Sequence, residues 1–367
     1  MNSEIEKDIN VKTEYKSKNV YRRFVGIFFT VVGVLIAAVI AVVVYVDPFF
    51  HYHGPIEGFP YIIDDQLSQN PGLAKNTDYD AVSVGSSISV NMKVSAFKEY
   101  FDVDAVKLPY NAACSKDIYN ALSMAFASDN TVEKVFWSVD IRNMTKDTET
   151  AYPLPEYLYD DNPLNDVYYI FNRDVLLNYI LKPFLYKHNA TNPDEYYCTY
   201  HLFTYGWDRV LYGFRSIEKQ QGIDYSEELA EAIAGVNRNF DTYLKDIIED
   251  NPDTEFYIYF APRSVAYWYE YRQNGETEVI FEAEKALIDR LLCYDNVKVF
   301  YFEDDQDIIT DFNNYFDSVH FGADTSDEII KRMSAGESTL DNENYQEIIE
   351  GFCEYLDNYD YSIYIWE

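Results

Sequence analysis

Apolar and polar residues follow three different regimes along this chain of 367 residues. The first is the run FVGIFFTVVGVLIAAVIAVVVYV, residues 24–46, which carries no charge in 23 residues. At ~1.5 Å of rise per residue, that run predicts a helix able to cross a ~30 Å hydrocarbon core. The second regime begins at residue 78, where short apolar runs alternate with stretches of helical period. YDAVSVG (79–85), VDAVKLP (103–109), EKVFWSV (133–139), TEFYIYF (254–260) and NVKVFYF (296–302) are rich in β-branched or aromatic residues. Each is bounded by polar or turn residues, the pattern of a buried strand. Helical periods occupy about 91–101, 115–128, 225–250 and 277–293. Such alternation predicts a parallel five-stranded sheet with helices on both faces, a three-layer α/β/α, flavodoxin-like arrangement. In sheets of this kind, active sites collect at the carboxyl ends of the strands.

The third regime interrupts the second. The interval between the third and fourth runs is too long for one crossover, and residues 150–225 are dense in Tyr, Phe, Trp and Asp. They predict a helical insertion packed beside or over the active edge. Its aromatics suit either a packing surface or stacking on sugar rings. The tail 336–367 places Ile348, Ile349, Phe352 and Tyr355 at helical spacing and reads as a packing helix.

Charge orients these pieces. Residues 1–23 carry six Lys/Arg against four Asp/Glu, a net of +2, so the remainder of a −34 chain carries −36. The basic flank favours a cytoplasmic N-terminus (1–23), an anchor (24–46) and an extracytoplasmic remainder. No small-x-small cleavage site follows before Asp47-Pro48, so the run reads as an uncleaved anchor in the lipid bilayer. The segment 47–77, rich in Pro and Gly, reads as irregular chain leading to a catalytic domain at 78–335. The strong negative charge argues against a nucleic-acid partner. Hydrophobic residues at 48% and aromatics at 17% argue against disorder. Cys114, Cys198, Cys293 and Cys353 show no metal-ligand spacing, and their pairing is undecidable from spacing alone. His51 and His53 suit an interfacial structural role, and His188 and His201 suit packing or surface positions. No metal or cofactor is expected.

Two short stretches carry candidate chemistry. The first strand runs into Gly85-Ser86-Ser87, where a glycine permits a sharp turn and a helix start favours developing negative charge. Near the end stands Asp317-Ser318-Val319-His320, ahead of Thr325 and Glu328, which fit a helix capping box. In the loop between the last strand and a helix, an Asp three residues before a His can accept the imidazole Nδ1–H. Nε2 is then left facing a serine.

A GxS at the first strand end and a DxxH some 230 residues later, around five short strands, resemble the SGNH (GDSL-type) hydrolase and acyltransferase superfamily. The likeness covers roughly residues 45–335. With the anchor followed by DPFFHYHGP, it is nearer the membrane-anchored Gram-positive branch related to the lipoteichoic acid D-alanine transfer protein. The resemblance implies Ser87 as nucleophile, with Ser86 as the fallback, His320 as base and Asp317 as its orienting carboxylate. It implies an oxyanion hole from the Ser87 N–H, a backbone N–H at Ala112 or Ala113 (where the family has glycine), and a side-chain amide. Asp140 stands where the family has Asn, which leaves Asn143 as the amide donor or Asp140 in substrate binding or structure. Arg263 either binds an anionic group or pairs with carboxylates. The implied activity is transfer or hydrolysis of O-acyl groups on a cell-envelope glycan or teichoic acid, with a membrane acyl-donor protein as a partner. The departures at Ala112 and Asp140 leave a non-catalytic scaffold as the alternative.

Overall fold

The structure is a computed structural model that describes residues 2–146, 149–186, 192–197, 203–213, 220 and 223–364. Its centre is a six-stranded sheet: β1 (Ala81–Gly85), β2 (Ala105–Lys107), β3 (Lys134–Val139), β4 (Glu255–Phe260), β5 (Val297–Tyr301) and β6 (Thr339–Leu340). The order is β2-β1-β3-β4-β5-β6; the first five strands are parallel and β6 runs antiparallel to β5. The parallel part is compatible with a flavodoxin-like sheet. β1 is buried at every position and β3 and β4 at all but their first, which is why the strands read as continuous apolar runs.

Helices pack on the sheet in two groups. Val94–Phe101 lies with Ala323–Ala335, while Ser115–Phe126, Ser226–Glu249 and Thr277–Leu291 pack together. Right-handed crossovers place such groups on opposite faces. Phe97 and Phe101 meet the β3 and β4 rings of Phe136 and Tyr257, with centroids 4.3 Å and 5.0 Å apart. The tail helix Tyr345–Asn358 docks through Phe352 onto the edge of Trp268, 5.3 Å away.

Several expectations need correction. The sheet has a sixth strand, because the tail turns back along β5 before its helix. Helix Val265–Asn274, hidden in the sequence, follows β4; six of its ten residues are buried, so it shows no amphipathic period. The capping box at Thr325 does not form. The helix begins at Ala323 behind Gly322, and Thr325 is buried in its first turn. His188, His201 and Cys198 lie outside the described residues.

The segment 47–77 is organised chain rather than an irregular lead. Asp47, fully buried, follows the long helix Asn2–Val46 and accepts the backbone N–H groups of His51, Tyr52 and His53 and the Tyr169 hydroxyl. Burial pushes its carboxyl above the ordinary range, opposed by those four donors. Helix Gln66–Asn76 then seats Gly72 on this turn: a Cβ there would lie 1.9 Å from the Phe49 carbonyl oxygen. Gly-to-Ala inside a helix ordinarily stabilises by ~1 kcal/mol. Here the contact reverses the sign, and Gly72→Ala should destabilise by ~1–3 kcal/mol in urea or thermal unfolding. A neutral or stabilising result would show that the helix does not pack this closely.

Candidate active site

The site forms because β1, β3, β4 and β5 end at one edge. β1 pairs Gly85 with Ser138 of β3, and Gly85 takes φ 153° there. A Cβ on Gly85 would stand 2.9 Å from the Ser138 Cβ and 2.9 Å from the Ser89 Oγ, so only glycine lets the chain turn this closely. Ser86 is buried and its carbonyl accepts both the N–H and the hydroxyl of Ser89. That tight turn starts the 3₁₀ helix Ser87–Asn91 and leaves Ser87, not Ser86, facing the cavity.

The Ser87 hydroxyl lies 2.7 Å from His320 Nε2, and His320 Nδ1 lies 2.7 Å from Asp317 Oδ2. A carboxylate can only accept, so Nδ1 carries the hydrogen and Nε2 accepts from the serine. The other Asp317 oxygen accepts the N–H groups of Val319 and His320, at 2.8 Å and 2.7 Å. An Asp that accepts the backbone N–H groups two and three residues on folds its own loop and so holds the imidazole of the third. Burial works to raise the Asp317 carboxyl, but the His320 ring and those backbone donors hold it below its ordinary value.

The loop is clamped from both sides. Asn91 Nδ2 donates to the Phe321 carbonyl at 2.6 Å, and the Ser264 hydroxyl donates to the Ser318 carbonyl at 2.7 Å. The Tyr315 hydroxyl donates to the Pro262 carbonyl at 3.0 Å. Phe316 stacks on the His320 ring, with centroids 5.2 Å apart and planes at 9°, and Phe203 of the insertion stacks on Phe316 in turn. Sequence reading missed these positioning residues. Asn91 sat inside an expected helix, and no local spacing announces a bond across 230 residues.

The expected oxyanion groups divide. Among the described residues, the N–H groups of Ser87 and Ala112 donate to no other group, and both residues line the cavity. Ala112 adopts φ 55°, a left-handed conformation that glycine takes without strain, at a cost of about 1–2 kcal/mol for alanine. The Ala113 N–H is engaged by the Tyr110 carbonyl, so it is not a second donor. Asn143 is also engaged. Its Nδ2 donates to the Ala113 carbonyl at 3.1 Å and to Asp140 Oδ2 at 3.3 Å. It braces the Ala112 turn instead of facing the serine.

Arg263 is 2% exposed, in contact with Glu303 and 3.5 Å from Asp140, with its guanidinium over the Tyr267 ring. Of its two sequence readings, the geometry fits pairing with carboxylates. Asp140 ties that buried cation to the strand edge.

The cavity holds about 890 Å³. Ser87, Asn91, Ala112 and His320 line the end at the strand edge. Asp64, Asp65 and Gln66 come from the segment before β1, and Tyr152, Tyr179, Tyr197 and Phe203 from the insertion. Asp64 accepts the Tyr179 hydroxyl at 2.9 Å and Asp65 caps the Gln66–Asn76 helix, so both mouth carboxylates have structural partners. Gln66 Oε1 accepts the Asn111 N–H at 2.7 Å and holds the β2 loop beneath the cavity. His51 bonds Asp166, and both ring nitrogens of His53 face backbone carbonyls. Among the described residues there is no cluster of His, Cys, Asp and Glu that could hold a metal.

No family model matches the chain, and no curated protein matches it. Among solved structures, it is similar to a protein from Streptococcus pneumonia provisionally described as a platelet activating factor. That similarity has a TM-score of 0.38 and 13% identity, covering 74% of this chain and 89% of the other.

Proposed function

We propose that this protein is a membrane-anchored serine O-acyltransferase or esterase of the SGNH type, with its catalytic domain outside the cytoplasm. The hydrogen-bonded row Ser87–His320–Asp317, opening on the cavity at the strands' carboxyl edge, carries the reading. His320 Nε2 takes the Ser87 proton as Oγ attacks an acyl carbonyl, and Asp317 stays ionised and holds the ring. The oxyanion that forms faces the N–H groups of Ser87 and Ala112. The imidazolium returns its proton to the departing alkoxide, leaving an acyl-serine. A glycan hydroxyl or water, deprotonated by the same imidazole, then takes the acyl group and frees Ser87.

The substrate in this reading is an acetyl- or D-alanyl-type ester of a cell-envelope polysaccharide or teichoic acid. Its support is the aromatic wall of the cavity, whose rings suit sugar faces. The run 24–46 ties the domain to the bilayer and favours a donor delivered at the membrane, including a membrane acyl-donor protein. A second reading, a non-catalytic scaffold, is favoured by one observation: the amide of Asn143 is occupied and Asp140 cannot donate, so no third oxyanion donor stands at β3.

A fluorophosphonate probe decides between them. The full-length protein should label at Ser87 and Ser87→Ala should not. Folded protein with no Ser87-dependent labelling would favour the scaffold. Asp317→Asn keeps the nucleophile but loses the ring's orientation, and labelling should slow by ~10²–10⁴-fold. A rate unchanged within error would remove Asp317 from the machinery. Stability offers a separate readout. Because the folded Asp317 value lies below 3.8, its ionised form stabilises the fold above pH ~4. The stability gap between wild type and Asp317→Asn should be full at neutral pH. It should shrink as pH falls below 3.8, through the depressed folded value. A gap that does not change with pH would contradict this linkage.

A further inference from the structure

The insertion carries an apolar surface on its outside. Leu164, Val167, Tyr168 and Phe171 recur at helical spacing and are 84%, 47%, 67% and 45% exposed. Leu177, Leu181, Phe184 and Leu185, on the next helical stretch Val175–Tyr186, repeat the pattern and are also exposed. A water-soluble domain puts the apolar stripe of a surface helix inward. Here the inward residues Tyr169, Val175 and Ile180 are apolar as well, so both sides avoid water. Large exposed apolar side chains concentrated on one segment in this way mark an interaction surface.

Its position narrows the partner. Both helical stretches pack against the long N-terminal helix, whose span Asn19–Val46 is apolar enough to cross a membrane. Val43, inside that span, is fully buried, and Phe49 just beyond it stacks on Tyr169 and meets Tyr179 edge-on. The insertion is therefore held within a turn or two of the span's end. Its charge also fits. Between 164 and 186 Arg173 and Lys182 balance Asp166 and Asp174, giving zero net charge in a chain of −34. Arg173 and Lys182 are exposed and form no ion pair among the described residues, which suits cations whose stems lie along lipid. Tyr168 belongs to the aromatic class enriched at membrane interfaces, and Phe171 and Phe184 are of the type an interfacial helix buries on its apolar face.

We propose that residues 164–186 lie in the interface of the outer leaflet as a second, non-spanning membrane contact, with Leu164, Val167, Tyr168, Phe171, Leu177, Leu181, Phe184 and Leu185 against lipid. The partner is the lipid surface itself, and the proposal holds whatever reaction Ser87 performs. Its consequence for the site is positional. Tyr179 stands between Leu177 and Leu181 and lines the cavity that holds Ser87, so one helix borders both lipid and cavity. A substrate whose acyl group or polymer is rooted in the membrane reaches such a cavity without leaving the surface.

The test uses the full-length protein in phospholipid vesicles, with Leu181→Trp and Leu185→Trp as reporters and Tyr119→Trp, on helix Ser115–Phe126, as control. Each variant is measured against wild type to remove the native tryptophans, and its melting curve checks folding. In vesicles of lipids brominated near the headgroup end of the acyl chain, the added emission at 181 and 185 should fall by roughly half, as for a face buried ~5–10 Å into the interface. Tyr119→Trp should be unaffected. Quenching at 181 and 185 no greater than at 119 would overturn the proposal. That result would assign the face to water or to a protein partner, leaving the fluorophosphonate result untouched.

Discussion

The contact between Ser87 and His320 joins two segments 233 residues apart in the chain and 2.7 Å apart in space. A bond of that length tolerates little displacement, so both ends must be held by rigid neighbours. At the serine end the rigidity comes from strand packing: Gly85 is pressed between Ser138 and Ser89. At the histidine end it comes from hydrogen bonds to backbone that tie the loop to two other parts of the fold: Asn91 on one side, and Pro262 and Ser264 after β4 on the other, the first through the loop's own Tyr315. Asn91 matters twice over, because it belongs to the turn that carries Ser87 and bonds the loop that carries His320.

A second constraint lies behind the site. Arg263, Glu303 and Glu284 are buried between β4, β5 and helix Thr277–Leu291. Isolated charges there would be heavily penalised, so they occur as a connected group. Arg263 meets Glu303 and approaches Asp140, and the Tyr301 hydroxyl donates to Glu284 at 3.0 Å. Burial first, then the neighbouring Glu303, pushes the Glu284 carboxyl well up, which leaves the group with less net charge to bury. Through Asp140 and Asn143 this group connects to the turn of Ala112, one of the two backbone donors beside Ser87. Asp140 thus makes sense as the outer end of a buried ion network.

The strand pattern was legible because a doubly covered parallel strand has no polar face. Runs such as EKVFWSV and TEFYIYF therefore stand out from their surroundings. Elements whose stability comes from contacts were not legible. Helix Gln66–Asn76 is polar and contains Pro71, yet it is held by buried Gln69 and Asn70 bonding distant carbonyls. Helix Val265–Asn274 is covered on most sides and has no period to read, and β6 is two residues long. The capping box at Thr325 was a local signal overridden by the Tyr315–Phe321 bridge and the Gly322–Asn314 bond, which start the helix earlier.

The sequence alone determined the apolar span, the alternation that makes an α/β sheet, and the local Asp317–His320 unit. Each of these depends on neighbours a few residues apart. It also marked Gly85-Ser86-Ser87 as a turn at a strand end. The tertiary structure decided which serine faces the histidine, that Ala112 lines the cavity with its backbone N–H given to no other group among the described residues, and that Asn143 and Arg263 are engaged elsewhere. It also decided that the insertion packs its apolar helices against the long N-terminal helix. The reason is common to all four: a hydrogen-bond donor or an apolar face has no role until its partner is known, and these partners lie tens to hundreds of residues away.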